Sequence, residues 1–94
     1  MKSILQNKAE CFVCRKFYNV ETIHPLEKHH FIHGRGMRKL ADEDGLFAWV
    51  CCKHHRDIHD KGLFDKDLQI IAQRAYIEKY SREEWFRRYG KFYE

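Results

Sequence analysis

Two short ligand pairs, Cys11-x-x-Cys14 and Cys51-x-x-His54, constrain this chain more than any other feature. A two-residue gap lets both side chains of a pair reach one tetrahedral ion from a tight turn. Pairs this far apart would tie the segment around Cys11 to the end of an apolar run, Leu46-Phe47-Ala48-Trp49-Val50. A chain of 94 residues has a thin core, and such a crosslink stabilises it beyond what burial supplies. Cys52 is left over. The register Cys52-x-x-His55 is an alternative, and Cys51 with His54 is preferred because it frees His55 for a second group. A two-Cys, two-His finger from Cys11, Cys14, His29 and His33 also fits the spacing. It would leave Cys51, Cys52, His54, His55 and His59 without a role, and it needs a helix where a strand is expected. Cys11, Cys14, Cys51 and His54 therefore read as a structural zinc site.

The composition, 44% hydrophobic and 34% charged, is that of a soluble globular chain with room for a single domain, residues 1–94. No apolar stretch approaches the ~18 residues needed to span a bilayer. The N-terminal Met1-Lys2-Ser3-Ile4-Leu5-Gln6-Asn7 lacks the apolar region of a signal peptide, which points to the cytoplasm and no membrane partner. In that compartment the four cysteines are expected to hold metal rather than disulfides. A net charge of +4 permits nucleic-acid binding without requiring it.

The distribution of Cys and His divides the chain into a part that carries all of them, residues 1–62, and a helical extension, 63–94, that carries none. Ser3-Ile4-Leu5 is expected to start a short strand. Cys11 to Cys14 should form a knuckle. Leu26 to His33 reads as a strand ending at the turn signal Gly34-Arg35-Gly36. Met37 to Asp44 suits a helix closed by Gly45, Leu46 to Val50 a buried strand, and Cys52 to Asp60 a helix stopped at Lys61-Gly62. Leu68, Ile71, Ala72, Ala75 and Tyr76 keep helical spacing behind Asp65 or Asp67 as the opening cap. Ser81-Arg82-Glu83-Glu84 is a capping-box pattern, with Trp85, Phe86 and Tyr89 as the apolar side of a last helix.

All seven histidines fall between His24 and His59. His55 and His59 are four apart and share one helix face, close enough to bind one ion. Metalloproteases use that geometry with a glutamate directly after the first histidine; here the position is Arg56, which disfavours a protease. On a strand, neighbours point to opposite faces. One of His29 and His30 would thus face the ion, leaving the other imidazole beside it for a different task.

Leu26-Glu27-Lys28-His29-His30-Phe31 followed by Val50-Cys51-Cys52-Lys53-His54-His55 resembles the HNH endonucleases, in particular the small members encoded by phages and prophages. The resemblance covers roughly residues 11–62. It implies an α+β architecture with a ββα-metal core stapled by the zinc. It also implies His30 as general base, His29 as the strand ligand, and His55 and His59 as helix ligands of a catalytic divalent ion. The family's middle Asn is missing, since no Asn follows Asn19. Met37, Asp44 or Gly45 falls near its position, with Asp44 as a partial substitute.

The function so implied is metal-dependent DNA cleavage leaving 5′-phosphate and 3′-hydroxyl ends, nicking or weakly sequence-specific. Three neutral nitrogen ligands favour Mn, Ni, Co or Zn over Mg. Arg35, Arg38, Lys39, Lys53 and Arg56 flank the expected site and are candidates for phosphate contacts, as are Arg15, Lys16 and Lys28. Two other classes compete. One is a non-catalytic zinc-stabilised nucleic-acid-binding module, supported by the missing Asn. The other is an adaptor that docks phage recombination or terminase proteins through its helical tail.

Overall fold

The computed structural model describes residues 2–94, which form a two-stranded antiparallel sheet and five helices, an α+β arrangement. In chain order these are α1 (Phe12–Tyr18), β1 (Leu26–His30), α2 (Met37–Asp44), β2 (Phe47–Cys51), α3 (Cys52–Lys61), α4 (Asp65–Lys79) and α5 (Arg82–Tyr89). None of the helices is long and apolar enough to cross a membrane.

β1 and β2 pair in register His30 to Phe47, His29 to Ala48, Lys28 to Trp49, Glu27 to Val50 and Leu26 to Cys51. Alternation along β1 puts Glu27 and His29 on one face and Lys28 and His30 on the other. The buried side takes His29, which is 3% exposed, and Ala48 opposite it. The expected strand from Leu26 to His33 stops at His30; Phe31 and Ile32 continue into the core instead.

Residues 3–5 make no strand, contrary to the sequence expectation. The Ser3 hydroxyl donates to the Phe47 carbonyl, the Ile4 amide donates to Gly45 O at 2.9 Å, and the Trp49 amide donates to Gln6 Oε1 at 2.9 Å. The edge of β2 is thus satisfied largely by side chains, which needs no extended partner and still blunts an exposed strand edge. Gly45 lets this segment approach. It closes α2 with φ 75°, and a Cβ there would stand 2.5 Å from the Lys2 carbonyl oxygen.

The expected Cys11–Cys14 knuckle is the first turn of a helix. Cys11 is the N-cap of α1, its sulfur accepting from the Cys14 amide at 3.3 Å, so one thiol both caps the helix and faces the ligand cluster. α3 follows β2 without a linking residue and ends at Gly62 with φ 69°. Strand and helix therefore hold Cys51 and His54 in fixed relation.

α4 opens at Phe64, a non-glycine residue with φ 66°, rather than on an aspartate cap; Asp65 and Asp67 lie inside the first turn, where they complement the helix dipole. Ser81 caps α5, accepting from the Glu84 amide at 3.0 Å. Glu84 pairs forward with Arg87 rather than back to the cap, so only half of the capping box forms. Trp85 and Tyr89 stack at 4.2 Å and are buried with Leu68, Ala72 and Tyr76. Phe86, expected beside them, points outward at 53% exposure. One core cluster runs from Cys11 and Val13 through Phe31, Ala48 and Val50 to Trp85 and Tyr89.

Candidate metal centres and the cleft beside them

Cys11, Cys14, Cys51 and His54 converge, with their ligand atoms all within 4.8 Å of one another. His54 Nδ1 lies 3.4 Å from Cys14 Sγ, 3.4 Å from Cys51 Sγ and 3.7 Å from Cys11 Sγ, and the Cys14 and Cys51 sulfurs are 4.0 Å apart. A tetrahedral ion about 2.3 Å from sulfur and about 2.0 Å from nitrogen sets edges of roughly 3.8 Å and 3.5 Å. These four separations lie close to such edges, and the quartet can hold zinc or another metal. Cys52 stays outside this cluster, half-buried. Burial pushes the Cys11 thiol up to about 11, so binding an ion at neutral pH displaces its proton. Burial also lowers the His54 pKa, with Lys53 adding to the effect, which keeps the ring neutral as a ligand must be. The ring is braced by stacking on Tyr18 at 5.6 Å and 4°.

A second group forms where α3 faces β1. One ring nitrogen each from His29, His55 and His59 lies within 4.8 Å of the others. His55 Nε2 and His59 Nε2 are 3.0 Å apart, near the roughly 3.3 Å edge of a tetrahedral nitrogen-ligated ion. Glu27 Oε1 is 2.8 Å from His55 Nδ1. A carboxylate only accepts, so Nδ1 carries the proton and Nε2 presents its lone pair, the usual outer support of a metal-binding histidine. His29 Nε2 is the single buried side-chain polar atom among the described residues without a hydrogen-bond partner. An ion shared with His55 and His59 would satisfy it, so the donor set fits a divalent metal.

Burial, with the neighbouring histidines adding to it, depresses the His29 pKa to about 3 against an ordinary 6.5. The folded protein therefore keeps His29 neutral while the unfolded chain takes up a proton below about 6.5. The stability this provides is fully present above 6.5 and is lost as the pH falls from there toward about 3. With the three-histidine site kept empty of metal, urea midpoints between pH 7 and 5.5 should fall in the wild type with up to about 1.4 kcal/mol per pH unit from this one proton. His29→Gln is expected to flatten that slope; an unchanged slope would exclude His29 as its source.

His30, on the opposite face of β1, meets α2. Its Nε2 is 3.0 Å from Asp42 Oδ1, and Lys28 Nζ is 2.7 Å from the same oxygen. Lys28, then His30, hold the Asp42 carboxyl down at about 2. The bond to an ionised carboxylate places the His30 proton on Nε2 and leaves Nδ1 as a proton acceptor. Asp44, the expected stand-in for the family's Asn, is engaged elsewhere. It accepts from Tyr89 Oη at 2.6 Å and Arg88 Nε at 2.8 Å, fastening α5 to α2. Two positions along a helix turn the side chain by about 200°, so Asp42 and Asp44 face opposite ways. Met37 begins α2 and Gly45 ends it.

The three-histidine cluster and His30 share one cleft. A cavity of about 160 Å³ is walled by Lys28, His29, His30, His33, Arg38, His55 and His59. Its walls carry two permanent cations, Lys28 and Arg38, among the imidazoles; Lys28 is shared with Asp42, so Arg38 is the wall group that favours an anion most directly. Lys39 lines the adjoining groove with His30, Arg38 and Asp42. Arg35, Lys53 and Arg56 are exposed and are not among the cavity's walls. Arg15 is bound to Glu10 at 3.0 Å on α1. Sequence reasoning missed Glu27 and Asp42, and left His33 unassigned; His33 is 2.9 Å from Asp65 Oδ1, tying the cleft to the start of α4.

Comparison of the chain with protein-family models, curated proteins and solved structures finds no match.

Proposed function

We propose that this chain is an HNH-type, ββα-metal nuclease that hydrolyses DNA phosphodiester bonds. The observation that carries this reading is a carboxylate-held imidazole, His30, opening into the same cationic cavity as a three-histidine cluster. β1, β2 and α3 would be the ββα unit, and Cys11, Cys14, Cys51 and His54 would hold a structural zinc.

His29, His55 and His59 would hold the divalent ion, which supplies positive charge to stabilise the phosphate and the departing oxygen. The phosphate itself is drawn into the cleft by Lys28 and Arg38. His30 Nδ1 takes a proton from a water molecule whose oxygen forms the new bond to phosphorus. The bond to the 3′ oxygen breaks, that oxygen acquires a proton from solvent, and the 5′-phosphate remains on the other fragment. Asp42 keeps the His30 proton on Nε2 throughout, so Nδ1 is left as the basic nitrogen. Glu27 performs the corresponding service for His55. This local role for Asp42 substitutes for the missing Asn, and it weighs against the non-catalytic binding module.

All-nitrogen ligation makes the choice of metal a sharp test. Metal-stripped protein reloaded at the Cys/His centre and supplied in turn with Mn, Ni and Mg should nick supercoiled plasmid with Mn or Ni and far more slowly with Mg. Ligation of the product without prior phosphorylation would establish the 5′-phosphate. Robust cleavage with Mg alone would contradict the three-histidine centre.

A further inference from the structure

The sheet face that carries His30 continues past the cleft. On that face Lys28 and His30 of β1 lie opposite Trp49 and Phe47 of β2. Lys28 Nζ sits 4.0 Å above the Phe47 ring and the His30 ring 5.9 Å from it, so these side chains form one continuous surface. Trp49 ends it at 39% exposure, in contrast to Trp85, which is fully buried.

Trp49 also lines a groove of about 590 Å³ with Lys2, Lys8, Lys28, Gln6, Asn7 and Phe47. Three of these residues are lysines and none is acidic, although Lys8 and Lys28 each also pair with a carboxylate, Glu21 and Asp42. Lys28 lines both this groove and the cleft holding His30. A cationic groove with an exposed aromatic ring is the chemistry that binds an unpaired nucleic-acid strand, the phosphates meeting lysine and a base stacking on the ring.

We infer that Trp49 is a stacking subsite for an unpaired base, in a groove along which Lys2, Lys8 and Lys28 bind the flanking strand of a single-stranded or locally opened DNA. Trp49 is two residues from Phe47, the partner of His30, a displacement of roughly 7 Å at about 3.4 Å per residue. Nucleotides in a stacked strand advance about 3.4 Å each, so the stacked base lies about two nucleotides from the attacked phosphate. The position of that phosphate rests on the nuclease reading; the stacking does not.

Fluorescence separates the two. Full-length protein with its Cys/His centre loaded is titrated with oligothymidylate and with a blunt-ended, two-strand duplex of equal length. Oligothymidylate should quench the Trp49 emission, Trp85 supplying a constant background that Trp49→Phe isolates. Trp49→Ala should weaken oligothymidylate binding about tenfold or more, and Trp49→Tyr should restore much of it. The unchanged Trp85 emission reports that each variant is folded. Unaltered affinity in Trp49→Ala, or equal quenching by the duplex, overturns the inference and marks the groove as a general phosphate-binding surface. Quenching without plasmid cleavage would sustain the subsite and refute the nuclease; cleavage with no quenching would do the reverse.

Discussion

Removing the Cys/His centre is expected to unfold the chain. Cys14→Ala, or prolonged exposure of the wild type to a strong chelator, should abolish the cooperative thermal transition and the near-ultraviolet signal of Trp85. Four ligands, from the N-cap and first turn of α1, the end of β2 and the first turn of α3, meet at this point. Structural zinc contributes about 10–16 kcal/mol of apparent binding energy in small domains, as much as or more than the ~5–15 kcal/mol net stability of a typical domain. Cys52→Ala is the internal control. Its thiol lies outside the ligand cluster, so the transition should survive with a change within about 1 kcal/mol. A Cys14→Ala protein that melts cooperatively near the wild-type temperature would show that the quartet is merely a set of buried thiols.

The second large effect concerns the three-histidine cluster, and it should be graded. His29→Ala removes a buried ligand and should eliminate binding of the second ion, leaving the metal content of purified protein at one per chain. Glu27→Ala leaves all three ligands in place and releases only the His55 proton from its acceptor. Loss of such an outer carboxylate typically weakens metal binding 10- to 100-fold. Titration with Mn or Zn after the first centre is filled should therefore rank wild type above Glu27→Ala, and Glu27→Ala above His29→Ala. Equal affinities in wild type and Glu27→Ala would mean that the carboxylate is only a surface partner of an exposed imidazole.

The elements that were legible in the sequence are those whose signals are local. The Cys-x-x-Cys and Cys-x-x-His gaps fix ligand reach within one turn, and their convergence follows once β2 runs directly into α3. His55 and His59 share a face because they are four apart on a helix, and Gly45 and Gly62 end α2 and α3 where the sequence predicts. Glu27 was within reach of the same reasoning, since period-two alternation puts it on the His29 face. Asp42 was not. Its meeting with His30 depends on how α2 crosses the outer face of β1, and neither helix propensity nor spacing encodes that crossing angle. Asp44 looked equivalent in sequence and was drawn instead into the α5 contact with Arg88 and Tyr89. Residues 3–5 have the apolar, β-compatible pattern of a strand, yet Ser3 and Gln6 satisfy the edge of β2 through side chains. Phe86 lies three residues before Tyr89 but falls on the solvent side, because a short helix docked through Trp85 and Tyr89 buries only that narrow face.

The central claim is that His30 is the base of a metal-dependent nuclease, and the most direct measurement is plasmid cleavage by His30→Ala beside the wild type at matched metal content in Mn. Removing a general base should slow nicking by about 10²- to 10⁴-fold while both centres retain their ions. A variant that nicks at the wild-type rate, or a wild type that binds both ions and DNA yet cleaves nothing, would contradict it.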